Sequence, residues 1–297
     1  MTNSMTRRAA MAGTVALTAI CLVGRAGAAP GREALAEQFA ALERRSKGRL
    51  GVAILDTGTG SLTSYRGDER FALCSTFKLL LAAAILARVD AGEEQLDRMV
   101  PFSKDDIIAH SPIVEQHLDT GEASVAELCA GTIQYSDNAA ANLLLATIGG
   151  PAGLTRFLAS HGDGVTRLDR TEPTLNLFTP GELRDTTTPE AMVGTMERLL
   201  IGDVLSAASR KQLQDWLIGN KTGDAKLRAG LPKGWTVGDK TGMGPKGETN
   251  DVAILWPADG KPVLVAVYLS ECDEPVDARN AVHAEIGRMI GASYGAG

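Results

Sequence analysis

Ser75-Thr76-Phe77-Lys78-Leu79-Leu80-Leu81-Ala82-Ala83-Ala84-Ile85-Leu86 reads as the start of a helix that is almost entirely apolar as far as Val89. A helix apolar on every side belongs inside a domain and not on its surface. Ser75 and Lys78 stand at i and i+3 at its head, on one helical face, so the ammonium can reach the hydroxyl. A helix N-terminus adds a partial positive charge and free backbone N–H groups where an oxyanion would form. Serine is a poor nucleophile until a neighbouring base takes its proton. The Ser-x-x-Lys pattern alone is weak, and its place at the head of a buried helix gives it weight.

Outward from that helix the pattern changes on both sides. Upstream, Glu33 to Arg45 places Leu35, Phe39 and Leu42 on one helical face. Leu50 to Leu55 is an apolar strand, and Asp56-Thr57-Gly58-Thr59-Gly60 turns the chain into a second strand around Leu62 to Tyr65. Downstream, helical spacing recurs in Ser124 to Ile133, Asn138 to Ile148, Pro151 to Ser160, Pro189 to Leu200 and Ser206 to Ile218. Gly162 to Thr187 lacks periodicity and reads as a long loop, a length that in a compact domain usually serves function. Strands return at Trp235 to Lys240, Val252 to Trp256 and Val263 to Leu269, before a last helix from Val276 to Ile290. This order predicts an α+β fold with one sheet assembled from both chain ends and a helical insertion, their junction forming a cleft. The expected division is 29–66 with 219–297 as a discontinuous α/β domain, and 67–218 as an all-helical domain that includes the loop 170–185.

The N-terminus reads as a signal peptide over residues 1–28. Arg7-Arg8 precede an apolar stretch from Ala9 to Val23, and Ala26-Gly27-Ala28 offers a cleavage site. The stretch is too short to span a bilayer. Export to the periplasm or the medium is expected, with the Sec and twin-arginine routes both open, since Thr6-Arg7-Arg8 is a partial twin-arginine signal. Cys21 would suit a lipoprotein signal, but Thr18 stands where Leu is wanted. The net charge of −6, with both signs interspersed, argues against nucleic acid or anionic lipid as a partner. Cys74, Cys129 and Cys272 remain after cleavage, an odd number without a C-x-x-C pair, and read as small buried hydrophobes. His110, His117, His161 and His283 show no ligand spacing, so neither a metal nor another cofactor is expected.

Three further motifs carry chemistry only in combination. Ser136-Asp137-Asn138 lies between helical stretches and would serve equally as a helix N-cap. Lys-Thr-Gly occurs twice. Lys221-Thr222-Gly223 follows a helix as a turn, whereas Lys240-Thr241-Gly242 ends a strand whose edge could present a cation to a cleft. Glu172-Pro173-Thr174-Leu175-Asn176 sits in the long loop, where Arg170 and Asp185 could pair across the neck and aim the carboxylate.

Together, Ser75-x-x-Lys78, Ser136-Asp137-Asn138, Glu172-x-x-Leu175-Asn176 and Lys240-Thr241-Gly242 resemble class A β-lactamases in order and spacing, over nearly all of the mature chain. The resemblance implies a five-stranded antiparallel sheet flanked by helices beside an all-helical domain, with the active site between them. It implies hydrolysis of penicillins and cephalosporins, small-molecule β-lactam substrates, through an acyl-enzyme on Ser75. The backbone N–H groups of Ser75 and Met243 would form the oxyanion hole. Lys78 and Glu172 would move protons, either serving as the base for acylation, with Glu172 activating the deacylating water. Ser136 would pass a proton to the lactam nitrogen, and Asn138 with Asn176 would place substrate and water. Lys240, Thr241 and Gly242 would meet the substrate carboxylate. Many members add an arginine there; Thr249 and Asn280 fall at two of its places and Lys226 at a third, so Lys226 is expected to supply that charge. His110 falls where an aromatic often borders the entrance. Cys74 precedes the nucleophile as in some carbapenem-hydrolysing members, but Gly244 stands where their bridging cysteine would be. The rivals are a penicillin-binding DD-peptidase, which lacks the Glu172 motif, and a β-lactam-sensing domain that stays acylated. A monomer without stable membrane attachment is expected.

Overall fold

The computed structural model describes residues 1, 32–258 and 260–294. The expected signal peptide, Met1 apart, lies outside the described residues. Helix α1 (Arg32–Ser46) buries Leu35, Phe39 and Leu42. The hairpin β1 (Arg49–Asp56) and β2 (Ser61–Tyr65) follows. Its turn is held by Asp56, whose Oδ1 accepts the Gly58 N–H at 2.8 Å, an Asx-turn. Strand β3 (Phe71–Ala72) leads through a 3-10 turn at Cys74–Thr76 into α2 (Phe77–Asp90). Strands β4 (Met99–Pro101) and β5 (Glu122–Ser124) form a small ribbon. Helix α3 (Val125–Gln134) starts at a capping box made by Ser124 and Glu127. Helices α4 (Asn138–Thr147) and α5 (Gly150–Ser160) come next. After the long loop, β6 (Thr186–Thr187) pairs with β3. Helices α6 (Pro189–Leu200), α7 (Ala207–Ile218) and the short α8 (Leu227–Gly230) precede β7 (Thr236–Met243), β8 (Thr249–Trp256), β9 (Val263–Ser270) and the closing α9 (Val276–Tyr294).

The main sheet has the order β2-β1-β9-β8-β7, every pair antiparallel. It is the five-stranded sheet from both chain ends expected above: β9 is central and pairs with β1 from Arg49↔Ser270 to Asp56↔Val263. Alternation sorts its side chains. Leu50, Val52, Ile54, Val265 and Val267 pack with Leu35, Phe39, Ile286 and Ile290 of α1 and α9. Ala53, Leu55, Leu264, Ala266 and Tyr268 face the other way, in one apolar cluster with α2 and the helices around it. Residues Phe77 to Leu86 of α2 are all buried, each Leu contributing roughly 1.5–3 kcal/mol by leaving water.

Three boundaries differ from the sequence reading. The regular helix starts at Phe77, and Ser75 sits in the 3-10 turn before it, so its hydroxyl is placed by a tighter turn than an α-helical start. The last Lys-Thr-Gly does not end its strand, because β7 runs on to Met243 as an edge strand paired with β8. The long loop carries a 3-10 turn at Thr174–Asn176 and ends in β6.

Candidate active site

The 3-10 turn, the start of α4, the long loop and β7 bring four motif segments together. Lys78, the second residue of α2, is fully buried. Its Nζ donates to Ser136 O at 2.7 Å and to Asn138 Oδ1 at 2.6 Å, lies 3.4 Å from Ser136 Oγ, and pairs with Glu172 Oε1 at 3.1 Å. Burial pulls the Lys78 pKa below the ordinary lysine value, with Glu172 working in the opposite direction. Ser75 Oγ, half-buried, donates to Glu172 Oε1 at 3.3 Å. The i, i+3 spacing suggested that Lys78 would meet this hydroxyl; the hydrogen-bond partner is Glu172 instead, and Lys78 reaches the same carboxylate oxygen from the other side.

Glu172 owes its place to the loop. The neck is closed by Arg170, whose Nε donates to Asp185 Oδ2 at 2.5 Å, while Asp185 Oδ1 accepts the N–H groups of Asp169 and Arg170. Asn176 Nδ2 donates to Glu172 Oε2 at 2.6 Å, and its Oδ1 is buried without a partner among the described residues. Asn142 on α4 holds the Glu172 backbone in both directions, a contact the sequence reading missed.

The N-cap reading of Ser136-Asp137-Asn138 holds. Asp137 caps α4, its Oδ1 accepting the Ala140 N–H at 2.8 Å, and its Oδ2 also accepts the N–H groups of Ile113 and Val114. Ser136 then sits at φ 60 and turns its hydroxyl between two buried amines, Lys78 and Lys240, the latter at 3.1 Å. Asn138 Nδ2 donates to Ala109 O, and its N–H to His110 O. His110 itself is exposed, with Nε2 2.8 Å from Tyr135 O, near the start of α4.

Lys240 is fully buried and also donates to Thr241 O at 2.8 Å. Burial and then the neighbouring Lys78 charge push its pKa well down. Thr241 Oγ1 lies 2.5 Å from Thr222 Oγ1, so the first Lys-Thr-Gly, a turn as expected, props the second. Gly242 has a steric reason: a Cβ there would stand 3.1 Å from Ser75 N, so glycine lets β7 lie against the Cys74–Thr76 turn. Met243, 43 % exposed, ends β7 beside it. Pro173, Thr174, Asn176, Leu177, Met243, Gly244 and Pro245 line an apolar recess of about 370 Å³ between the loop and β7.

Lys226 is more deeply set than a surface lysine. The Leu227 N–H bonds to Asp251 Oδ2, which draws residue 226 inside, and only 3 % of Lys226 is exposed. Burial lowers its pKa, while Asp251 and Asp239 act to keep the charge. Its ammonium lies among Asp251, Asp239 and the site cation Lys240, on which its charge also acts. A second cation, Arg279 of α9, which the sequence reading did not consider, donates from Nη1 to Thr249 Oγ1 at 3.0 Å, and Thr249 lies across from Met243 in the β7–β8 register. Cys74, Cys129 and Cys272 are free and buried, as read.

The β-lactamase enzyme family matches residues 34–294 of the chain. β-Lactamase FAR-1 of Nocardia farcinica is 48 % identical over 85 % of this chain and 80 % of its own length. β-Lactamase CTX-M-97 of Escherichia coli is 46 % identical over 86 % of this chain and 87 % of its own. Among solved structures, an ancestral class A β-lactamase shares 59 % of its sequence and a TM-score of 0.86, covering 88 % of this chain and 100 % of that one. A putative class A β-lactamase, PenP from Rhodopseudomonas palustris, is 51 % identical at a TM-score of 0.86, covering 88 % of this chain and 99 % of that one.

Proposed function

The chain belongs to the β-lactamase enzyme family, as a class A member, and from that premise we propose how its own residues divide the reaction. It hydrolyses β-lactam amide bonds through a serine acyl-enzyme and so confers β-lactam resistance. The observation that carries the assignment of roles is the contact of Ser75 Oγ with Glu172 Oε1, on an oxygen that Lys78 also holds.

In acylation, Ser75 Oγ attacks the lactam carbonyl as its proton passes to the Glu172–Lys78 pair. The developing oxyanion is met by the backbone N–H groups of Ser75 and Met243, which the absence of a side chain at Gly242 allows to approach each other. The leaving lactam nitrogen takes its proton from Ser136 Oγ, which Lys78 and Lys240 flank and can resupply. In deacylation, Glu172 takes a proton from the attacking water. Asn176 orients the carboxylate with its Nδ2 and offers its unbonded Oδ1 to that water, while Asn138 fixes Lys78 and borders the substrate. This favours hydrolysis over the stalled acyl-enzyme of a DD-peptidase or a sensor, because a base lies beside the ester that forms. Lys240 and Thr241 attract the substrate carboxylate, and Arg279 at Thr249 supplies the additional cation. His110 borders the mouth. The cleft lies at the junction of the two parts expected from the sequence, 29–66 with 219–297 and 67–218.

The N-terminal sequence supports export to the periplasm or the medium, and all the groups invoked come from one chain, as a monomer without membrane attachment needs. Steady-state hydrolysis of a penicillin and a cephalosporin, with mass spectrometry of Ser75→Ala, tests the assignment. The variant is expected to form no penicillin adduct; an adduct equal to that of the wild type would remove Ser75 from its role.

A further inference from the structure

The contact between Thr222 and Thr241 is the outer end of a longer chain of hydrogen bonds that begins at a buried carboxylate. Asp239, fully buried on β7, forms an ion pair with Arg228, accepting its Nε on Oδ1 at 2.6 Å. Asp239 Oδ2 accepts Asn220 Nδ2 at 2.8 Å. On the other side of the amide, Asn220 Oδ1 accepts the Thr222 N–H at 3.1 Å and lies 2.9 Å from Thr222 Oγ1. Thr222 Oγ1 in turn lies 2.5 Å from Thr241 Oγ1. Asn220 and Thr241 are both buried, so the chain has little access to water.

The neighbours of Asn220 fix the direction of every proton in it. A backbone N–H only donates, so the amide atom it meets is the oxygen; a paired carboxylate only accepts, so the atom it meets is the nitrogen. The Asn220 oxygen also only accepts, and its 2.9 Å contact with Thr222 Oγ1 takes the single hydroxyl proton of Thr222. Thr222 then has only lone pairs left for Thr241. Two oxygens 2.5 Å apart need a proton between them, and that proton is Thr241's own. The reverse assignment, Thr222 donating to Thr241, would leave two acceptors facing each other at 2.9 Å. The chain therefore runs from Thr241 to Thr222 to Asn220, and to any other partner Thr241 offers lone pairs alone.

A carboxylate requires the opposite, since it accepts and never donates. We propose that Asn220 and Thr222 are positioning residues that hold the Thr241 proton away from the β-lactam carboxylate in the free enzyme, so that an anionic substrate gains this contact only by reversing the two hydroxyls. The inference rests on the reading of Thr241 as a carboxylate contact. On binding, the Thr241 O–H swings from Thr222 to the carboxylate, and the Thr222 O–H swings from Asn220 to Thr241. No covalent bond changes. Asn220 Oδ1 keeps the Thr222 N–H and loses the hydroxyl. One hydrogen bond inside the protein is thus given up for the one made to substrate, and ground-state binding is weaker than an unengaged Thr241 would allow.

The test compares wild type, Thr222→Val, Thr222→Ser and Thr241→Val. KM and kcat are measured on a penicillin, and kcat/KM on its methyl ester, which lacks the charge. Val matches Thr in shape and removes the acceptor, releasing the Thr241 proton; Ser keeps the chain. Thr222→Val is expected to lower KM for the penicillin by about 2–10-fold, the range of one net hydrogen bond, with kcat moved less. The ester should be unaffected, and Thr222→Ser should match wild type. A contact that merely supports Thr241 gives the opposite sign, a raised KM in Thr222→Val. KM does not depend on how much of a preparation is folded, so the sign survives a loss of stability. A raised or unchanged KM overturns the inference alone if Thr241→Val weakens the penicillin more than the ester. If Thr241→Val affects both equally, the carboxylate reading of Thr241 falls, and the inference with it.

Discussion

Asn142 and Glu172 hold each other by two hydrogen bonds that run in opposite directions: Asn142 Nδ2 donates to Glu172 O at 2.9 Å, and the Glu172 N–H donates to Asn142 Oδ1 at 3.0 Å. The carboxylate proposed to activate water is therefore aimed from both ends, its backbone by α4 and its oxygens by Lys78 and Asn176. Loss of a partner for a buried group costs about 1–3 kcal/mol. Asn142→Leu, close in shape but unable to bond, should slow deacylation by roughly 10–100-fold, about tenfold for each 1.4 kcal/mol. Rapid-mixing mass spectrometry should show acyl-enzyme persisting while the acylation burst is less affected. An equal loss in both steps would show that the pair supports the site only in general.

Removal of the carboxylate itself gives a larger effect. General-base assistance is worth about 10²–10⁴ in rate, so Glu172→Ala should deacylate more slowly by at least that range. A lasting mass increase equal to the intact penicillin is the expected signature, where wild type clears the adduct within its turnover time. Turnover at the wild-type rate with no trapped species would take the role away from Glu172.

Two cations near the carboxylate end of the site separate by kinetics. Arg279→Ala should raise KM for anionic substrates with kcat little changed, the mark of lost uniform binding. Lys226→Ala should instead lower the melting temperature, because it removes the cation beside buried Asp251, whereas Asp239 keeps its ion pair with Arg228. A KM effect confined to Lys226→Ala, with unchanged stability, would reverse this assignment.

His283 predicts an acid limit to stability. It is fully buried on α9, and burial, with the Lys226 charge beside it, pushes its pKa down to about 3. The folded state therefore resists a proton that the unfolded chain accepts near pH 6.5. Above that pH the group contributes no difference; as pH falls from 6.5 towards 3, stability should drop by up to about 1.4 kcal/mol per unit from this residue. Denaturant titrations at pH 7, 5.5 and 4.5 should show a steeper loss in wild type than in His283→Gln. Identical slopes would mean other groups set the acid limit.

The main sheet and the long helices were legible because their signal is local. Leu50 to Leu55 and Val263 to Leu269 are apolar runs that only a covered sheet accommodates, and α2 is too apolar to be exposed. Strands β3 and β6, of two residues each, were not legible, since alternation needs more length and their pairing joins distant segments. Ser75, Ser136, Glu172 and Lys240 could be singled out because their motifs are compact. Asn142 could not, since a polar residue on a helix usually faces water; its signal was the i, i+4 spacing from Asn138 on α4. The burial of Lys226 was not legible because nothing in its neighbours announces it, and Arg279 went unconsidered because it reaches Thr249 from another element.

The central position of β9 has a consequence for how the enzyme is made. Synthesis delivers Ser75, Glu172 and Lys240 in turn, yet β1 waits for a partner that comes almost last, and β8 needs the same strand on its other side. A chain interrupted before Val263 would thus present two bare hydrogen-bonding edges, open to proteases and to self-association. Truncation by a premature stop should leave no weakened enzyme behind but none at all, so resistance conferred by this gene product would be lost in a single step instead of declining by degrees.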